Sequence, residues 1–431
     1  MKLRLLLSLC GLVSVFSIST AAAQEKITIE YWNINTSTFG GPQVDALIAS
    51  FEAKNPNINV ESRPKDRYDT LVQDAQTAIA GGNPPDIVQI GWPYLRYTSA
   101  TLPYISIESL VEKYGGAEAF ADIPKNIFDL TLVNGEHVGL AYSLSNAVVY
   151  YNPELFRKAG LDPDNPPRTI QEWTEAAAVF KKALNLPLIA IDYSGDNWAI
   201  ENLIASNGGN LLICEADGTF AAGVSSPEAV EALQTWADWV AKGYAVNALD
   251  QARTVFWTGQ AGALFWSIAG RGAITSNKTF DELRATTYPQ FGDKPTRLPT
   301  GGNMLVFFAS DPARQEAAWR FALHLVSPEG ITEWTKGTGY IPLIPKLAED
   351  PKYLASFYAE NPIQRVATRQ IENMIVWTSF PGENGLAAGA ALFRAVQAAL
   401  GGQLTAGAAL SAAAKEINDL IGNEPCSGTS R

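Results

Sequence analysis

His137 and His324 are the only imidazoles in 431 residues, and neither stands in a metal-binding spacing such as H-E-x-x-H. The G-x-x-x-x-G-K-[ST] phosphate loop, the G-x-G-x-x-G dinucleotide turn and the G-x-S-x-G nucleophile elbow are all missing. Asp162-x-Asp164-Asn165 begins like a calcium loop but lacks its glycine and closing glutamate. With 44 acidic residues some carboxylates must lie close in space, yet no spacing marks a glycosidase pair. What remains is binding chemistry. Sugars offer apolar C–H faces to aromatic rings and hydroxyl edges to planar polar groups. The chain supplies both at expected strand ends and loops. Asn35, Thr36 and Ser37 follow the first strand, and Trp92 follows the third. Asp196, Asn197 and Trp198 share an acidic, aromatic loop, and Trp266 closes a strand ahead of a polar turn with Ser267 and Gly270. For each residue alone, rim packing or a turn role is an equal account; together they point to one cleft.

The elements that must position them alternate strand and helix. Ile27, Ile29 and Tyr31 alternate with polar neighbours, as a half-buried strand does. Val44, Leu47, Ile48 and Phe51 then recur at i, i+3, i+4 and i+7, and Asn55-Pro56 closes that helix. A second strand at 58–60, a helix marked by Leu71, Val72, Ala75 and Ile79, and a third strand at 86–90 complete an α/β lobe with parallel pairing. Such sheets bind ligands at the carboxyl ends of their strands, which places 33–38 and 91–94 on a rim. A second lobe is expected from a helix over 170–184, strands at 189–191 and 262–266, and a helix opened by Ser226-Pro227-Glu228.

Composition sets the outer bounds. The chain is 47% hydrophobic and 18% charged, which reads as globular with room for two or three domains. A net charge of −12 argues against nucleic acid or anionic lipid as a partner, and disfavours an anionic ligand without local cations. Lys2 and Arg4, the apolar run 5–18 and Ala21-Ala22-Ala23 read as a leader over 1–23, with the mature chain starting at Gln24 in the periplasm. The run is too short for an anchor, and the alanine-rich stretch 387–414 is interrupted by Arg394, Gln397 and Gln403. No direct membrane insertion is expected after cleavage. Cys214 and Cys426 then remain, and an oxidising compartment permits either a bridge or two separate thiols.

The stretch 148–173, VVYYNPELFRKAGLDPDNPPRTIQEW, carries the most recognisable pattern. A buried strand meets Asn152-Pro153, one or two helical turns end at Gly160, and a loop leads to Thr169 with Glu172 three residues on. With Thr338-Gly339-Tyr340-Ile341-Pro342, it resembles the family 1 solute-binding proteins of bacterial ABC importers, in their sugar and glycerol-3-phosphate branch. The resemblance runs from about Lys26 to the last helix. It implies an α/β periplasmic-binding-protein type II fold, with two lobes, a ligand cleft between them and discontinuous domains. By that resemblance 24–140 begins the N-terminal lobe, 141–297 begins the C-terminal lobe, 298–343 returns to the first, and 344–431 is the helical remainder of the second. The crossings fall at 139–146 and 297–303.

The same resemblance implies a monomeric, non-enzymatic receptor, without cofactor, that hands a sugar or polyol to the transmembrane subunits of an ABC permease. It also implies ligand roles for Tyr68, for Ser145 at the first crossing, for the Trp266-Ser267-Gly270 loop, and for Gly302 and Tyr340. Two departures matter. Trp92 stands where the glycerol-3-phosphate binders carry a glutamate. Gly389 stands where phosphate binders place an arginine and maltose binders a tryptophan, with Arg394 five residues on. Both weaken the rival reading of a phosphorylated or sulfonated polyol, such as glycerol-3-phosphate or its diesters, and the glycine leaves room for a larger sugar. The rival of another class is a secreted carbohydrate-active hydrolase.

Overall fold

The computed structural model of the chain describes residues 26–193, 196–247 and 251–426. The leader expected over 1–23 and the start at Gln24 lie outside the described residues. Nine strands build the two main sheets: β1 (Ile27–Asn33), β2 (Ile58–Pro64), β3 (Ile87–Gly91), β4 (Leu140–Ser145), β5 (Ala147–Tyr151), β6 (Ile189–Ile191), β7 (Ala263–Ser267), β8 (Arg284–Thr287) and β9 (Gly301–Phe307). The first sheet runs β2-β1-β3-β9-β4, with β1 parallel to β2 and β3, and β9 antiparallel to β3 and β4. The second runs β8-β5-β7-β6, with β5 antiparallel to β7 and β8, and β7 parallel to β6. The protein is thus an α/β type II binding fold whose lobes draw on separate stretches of chain.

Strand periodicity explains the layers. Val148 and Tyr150 of β5 point into one apolar core while Val149 and Tyr151 point into the other, as successive side chains of a strand must. Both faces of β5 are covered, so its sequence reads as a continuous apolar run. The local stops work as expected. The Asn152 side chain accepts from the N–H groups of Glu154 and Leu155, at 2.9 and 3.1 Å. Gly160 ends that helix with φ 79°, which a glycine tolerates freely. Thr169 and Glu172 form a complete capping box at the head of the Ile170–Leu184 helix.

The chain passes between the two main sheets twice, from β4 to β5 and from β8 to β9. The stretch 139–146, expected as a crossing, is mostly strand, because β4 pairs with β9 through Ser145; only Asn146 separates β4 from β5. Its backbone oxygen accepts from Ile268 N, and its side-chain amide donates to Ala367 O at 2.8 Å. In the second passage Leu298–Pro299 pairs in parallel with Met374–Ile375, a two-stranded ribbon outside both main sheets. Thr300 completes that ribbon by donating both N–H and hydroxyl to Ile375 O, each at 2.8 Å.

Cys214 and Cys426 are disulfide-bonded, with Cα atoms 5.9 Å apart. The bridge pins the end of the described chain to the Leu212–Cys214/Phe220–Ala222 hairpin, where Phe220 N also donates to Glu424 O. No helix among the described residues is long and apolar enough to cross a membrane.

Candidate functional site

A cavity of about 430 Å³ opens between the lobes where the strands end. The loop after β1 brings Thr36 and Phe39, and the turn before the Tyr68–Ala80 helix brings Asp66, Arg67 and Tyr68. From the second lobe, β7 delivers Trp266 and Ser267, and the loop after β6 delivers Asp192, Asp196 and Trp198. Ser145, Gly301 and Gly302 close the back where β4 meets β9. Because β9 runs antiparallel to β3, its first residues lie beside the carboxyl end of that strand.

Of the residues expected at the site, Thr36, Tyr68, Ser145, Asp196, Trp198, Trp266, Ser267, Gly302 and Tyr340 line this cavity together. Several are braced from behind. The Tyr68 hydroxyl accepts from Asn303 Nδ2 at 2.8 Å, and the Trp198 indole N–H donates to Pro299 O at 2.9 Å. Tyr340 stacks on Trp334 (5.5 Å between centroids, 11°), and Trp334 stacks in turn on Tyr142. These supports fix ring orientation before any ligand arrives, which lowers the ordering cost of binding.

The others are placed elsewhere. Ser37 is exposed, and buried Asn35 turns its amide toward Phe39 O, bracing the loop that carries Phe39. Trp92 is buried, with its indole N–H on Gly301 O at 3.3 Å, so it packs beneath the cavity. Gly270 lies against the Trp266 ring so closely that any Cβ there would collide with it; its role is to seat that ring. Asn197 and Arg394 line an adjoining chamber, where Asn197 Nδ2 donates to Gly389 O at 2.8 Å and Arg394 pairs with Glu416 at 2.6 Å.

The sequence reading missed Phe39, Asp66, Arg67, Asp192, Arg253, Trp257 and Trp377, all in the lining. Arg67 carried a usable signal, since it immediately precedes Tyr68 in a strand-to-helix turn. Trp257 ends the short Ala252–Trp257 helix and Trp377 follows the two-residue Met374–Ile375 ribbon, and neither position has a strand-end signature in the sequence.

Charge in the cavity is mixed. Arg67 is held by Asp69, through Nε at 2.9 Å and a second, shorter contact, and Arg253 Nε pairs with Asp192 at 3.1 Å. The Arg253 guanidinium also lies 5.2 Å from the Trp266 ring centre, and Phe39 approaches the same ring at 5.9 Å. Burial pushes the Asp196 carboxyl up to about 7; the Trp198 N–H on its Oδ1 acts the other way, and the Asp192 and Asp69 charges add to the rise. Such a carboxyl takes or gives a hydrogen bond to a hydroxyl near neutral pH. Among the described residues no three His, Cys, Asp or Glu side chains group closely enough to hold a metal ion.

Comparison with known proteins gives a family and a fold. The family described as bacterial extracellular solute-binding protein matches residues 46–362. The sn-glycerol-3-phosphate-binding periplasmic protein UgpB of Escherichia coli is 28% identical over 372 residues, covering 82% of each chain. In fold the chain is similar to UgpB from Mycobacterium tuberculosis in complex with glycerophosphocholine, with a TM-score of 0.80 and 20% identity over 91% of this chain and 98% of that one. It is equally similar to an ABC transporter solute-binding protein from Thermotoga lettingae bound with α-D-tagatose, at 0.80 and 22% over 92% and 100%.

Proposed function

The chain belongs to the bacterial extracellular solute-binding protein family, and on that premise we propose that it captures a sugar or related polyol between its lobes and delivers it to an ABC permease. The observation that carries this reading is the lining of the cavity. Trp198, Trp257, Trp266, Trp377 and Tyr340 give the lining aromatic surface, while both cavity guanidiniums are already engaged by carboxylates. Aromatic faces suit the C–H surface of a pyranose, and Asp196, Ser145 and Thr36 suit its hydroxyls. No covalent step belongs to this function. Ligand touching both lobes favours the closed arrangement by its differential affinity, and energy for transport comes from other subunits.

The leader over 1–23 would bring the protein to the periplasm as a monomer. The lobes would be assembled from 24–140 with 298–343, and from 141–297 with 344–431. A second reading, a phosphorylated or sulfonated polyol, has two supports: Arg67 and Arg253 line the cavity, and the 28%-identical relative is an sn-glycerol-3-phosphate-binding protein. Thermal-shift measurements over sugars, sugar acids and phosphodiesters separate the two. Ligand at a hundredfold excess over Kd raises folded-state stability by about 2.7 kcal/mol. Neutral sugars should shift the melting temperature; a shift with phosphorylated compounds alone would replace the sugar reading by the second.

A further inference from the structure

The charges in the main cavity do not balance. Arg67 is engaged by Asp69, and Arg253 by Asp192. Asp196 remains as a carboxyl that lines the cavity without an ion-pair partner among the described residues; its Oδ1 accepts from the Trp198 N–H at 2.9 Å. We propose that Asp196 receives an ammonium group, so that the ligand is an amino sugar or amino polyol. The inference rests on the sugar reading of the main cavity and adds the charge of the ligand and the residue that selects it.

A charge under cover without a partner is costly. The cost is visible in the carboxyl itself, which burial, with the Asp192 and Asp69 charges added, lifts to about 7. Its neighbours do not relieve it: the Tyr68, Tyr94 and Tyr193 phenols are all held protonated, chiefly by burial, and the Asp196 charge adds to that. A cation on the ligand supplies the missing partner. It favours the ionised carboxylate, and an ammonium N–H on a carboxylate is roughly twice as strong a bond as one between neutral groups. A phosphate would need the reverse arrangement, a guanidinium without a carboxylate.

The aromatic surroundings point the same way. Indole is the ring that cations prefer, and the cavity already uses one so: the Arg253 guanidinium lies 5.2 Å from the Trp266 ring centre. Trp198 follows Asp196 by two residues, and its ring stands 6.2 Å from that of Trp377, which lines the same spaces as Asp196. Carboxylate and indoles thus share one part of the lining. Farther out, exposed Asp66 borders the same cavity, and the formal net charge of −12 draws cations rather than anions toward it.

Matched probes test this. Glucosamine, galactosamine and mannosamine are compared with their parent hexoses, their N-acetyl derivatives and glucose 6-phosphate by titration calorimetry near neutral pH. At least one amine should bind about tenfold or more tighter than both of its neutral counterparts. Asp196→Asn keeps an oxygen for the Trp198 N–H and removes the charge, so amine and hexose should come within about twofold of each other once the charge-assisted bond is gone. Asp196→Ser serves if that variant does not fold. A merely structural Asp196 would weaken amine and hexose alike, so an unchanged ratio in the variant overturns the proposal. An amine that binds no better than its hexose, or an N-acetyl derivative that matches its amine, overturns it too and leaves the sugar reading standing. Binding of glucose 6-phosphate alone, or of no sugar at all, removes the sugar reading and this inference with it.

Discussion

Glu201 takes both polar hydrogens of Thr378 on one carboxyl oxygen, the N–H at 3.0 Å and the hydroxyl at 2.6 Å. Thr378 follows Trp377, so a buried carboxyl on the Trp198–Ser206 helix holds the segment that forms the wall between the two chambers. Its other oxygen is buried without a partner among the described residues.

That arrangement has a pH signature. Burial raises Glu201 from its ordinary 4.5 to about 8; the Thr378 bonds and the Arg297 charge oppose the shift, and the Asp196 charge adds to it. Between those values the folded state keeps a proton that the unfolded chain has released. The contribution is therefore complete below 4.5, declines as pH rises, and is gone above about 8. The slope is about 1.4 kcal/mol per pH unit at most. Glu201→Gln should match the parent near pH 5 and be the more stable near pH 8. Asp196, raised to about 7 by burial, leaves the variant a smaller residual slope. Melting curves with identical pH dependence in parent and variant would refute this.

Truncating the stacking rings should dominate affinity. Trp266→Ala or Trp198→Ala is expected to weaken binding of a neutral sugar at least tenfold, from the ~2 kcal/mol or more that a buried aromatic contact supplies. Arg394→Ala, whose partner is Glu416 at the surface, should leave affinity within about twofold. Affinity should also be flat between low and high salt. Titration calorimetry of the three variants at two ionic strengths checks this. A large loss in Arg67→Ala or Arg253→Ala, with a steep salt dependence, would instead identify an anionic ligand.

The bridge between Cys214 and Cys426 spans a sequence separation of 212. On the chain-entropy model, closing a loop that long is worth about 5 kcal/mol, an upper figure because strain often lowers it. Cys426→Ser should lower the denaturation midpoint and loosen the tail first. Thiol titration of denatured, unreduced protein should find neither cysteine free, and two titrated thiols would exclude the bridge in solution.

Ligand should compact the molecule. Contacts to rings from both lobes, such as Phe39 opposite Trp266, tighten only when the lobes approach. Small-angle scattering at saturating ligand is expected to give a smaller radius of gyration than ligand-free protein. An unchanged profile would leave the fold intact and remove the closing motion.

The fold was readable because its signals are local. Period-2 alternation in β1, the Asn152-Pro153 stop, Gly160 and the Thr169–Glu172 box each specify structure within a few residues. The site was readable where a strand end or its loop implied it, as at Trp266, Ser267, Asp196 and Trp198, and where the family resemblance marked it, as at Tyr68, Ser145, Gly302 and Tyr340. Trp92 sits at such an end and yet turns inward, because its indole N–H finds Gly301 O and its ring is buried with the core. Trp377 and Arg253 reach the cavity through tertiary packing of segments distant in sequence, which no local pattern encodes. The family resemblance alone marks 139–146 as a crossing; that most of it is strand follows from its pairing with β9, a partner about 160 residues away that no local pattern announces.

The ribbon formed by Leu298–Thr300 and Met374–Ile375 fastens together two stretches far apart in sequence. Any turn of the lobes must be absorbed there and at Asn146, and it must also break contacts such as Arg271 Nη2 to Lys336 O. Gly301 and Gly302 directly follow the ribbon, so the back of the cleft is expected to move least while its rim swings.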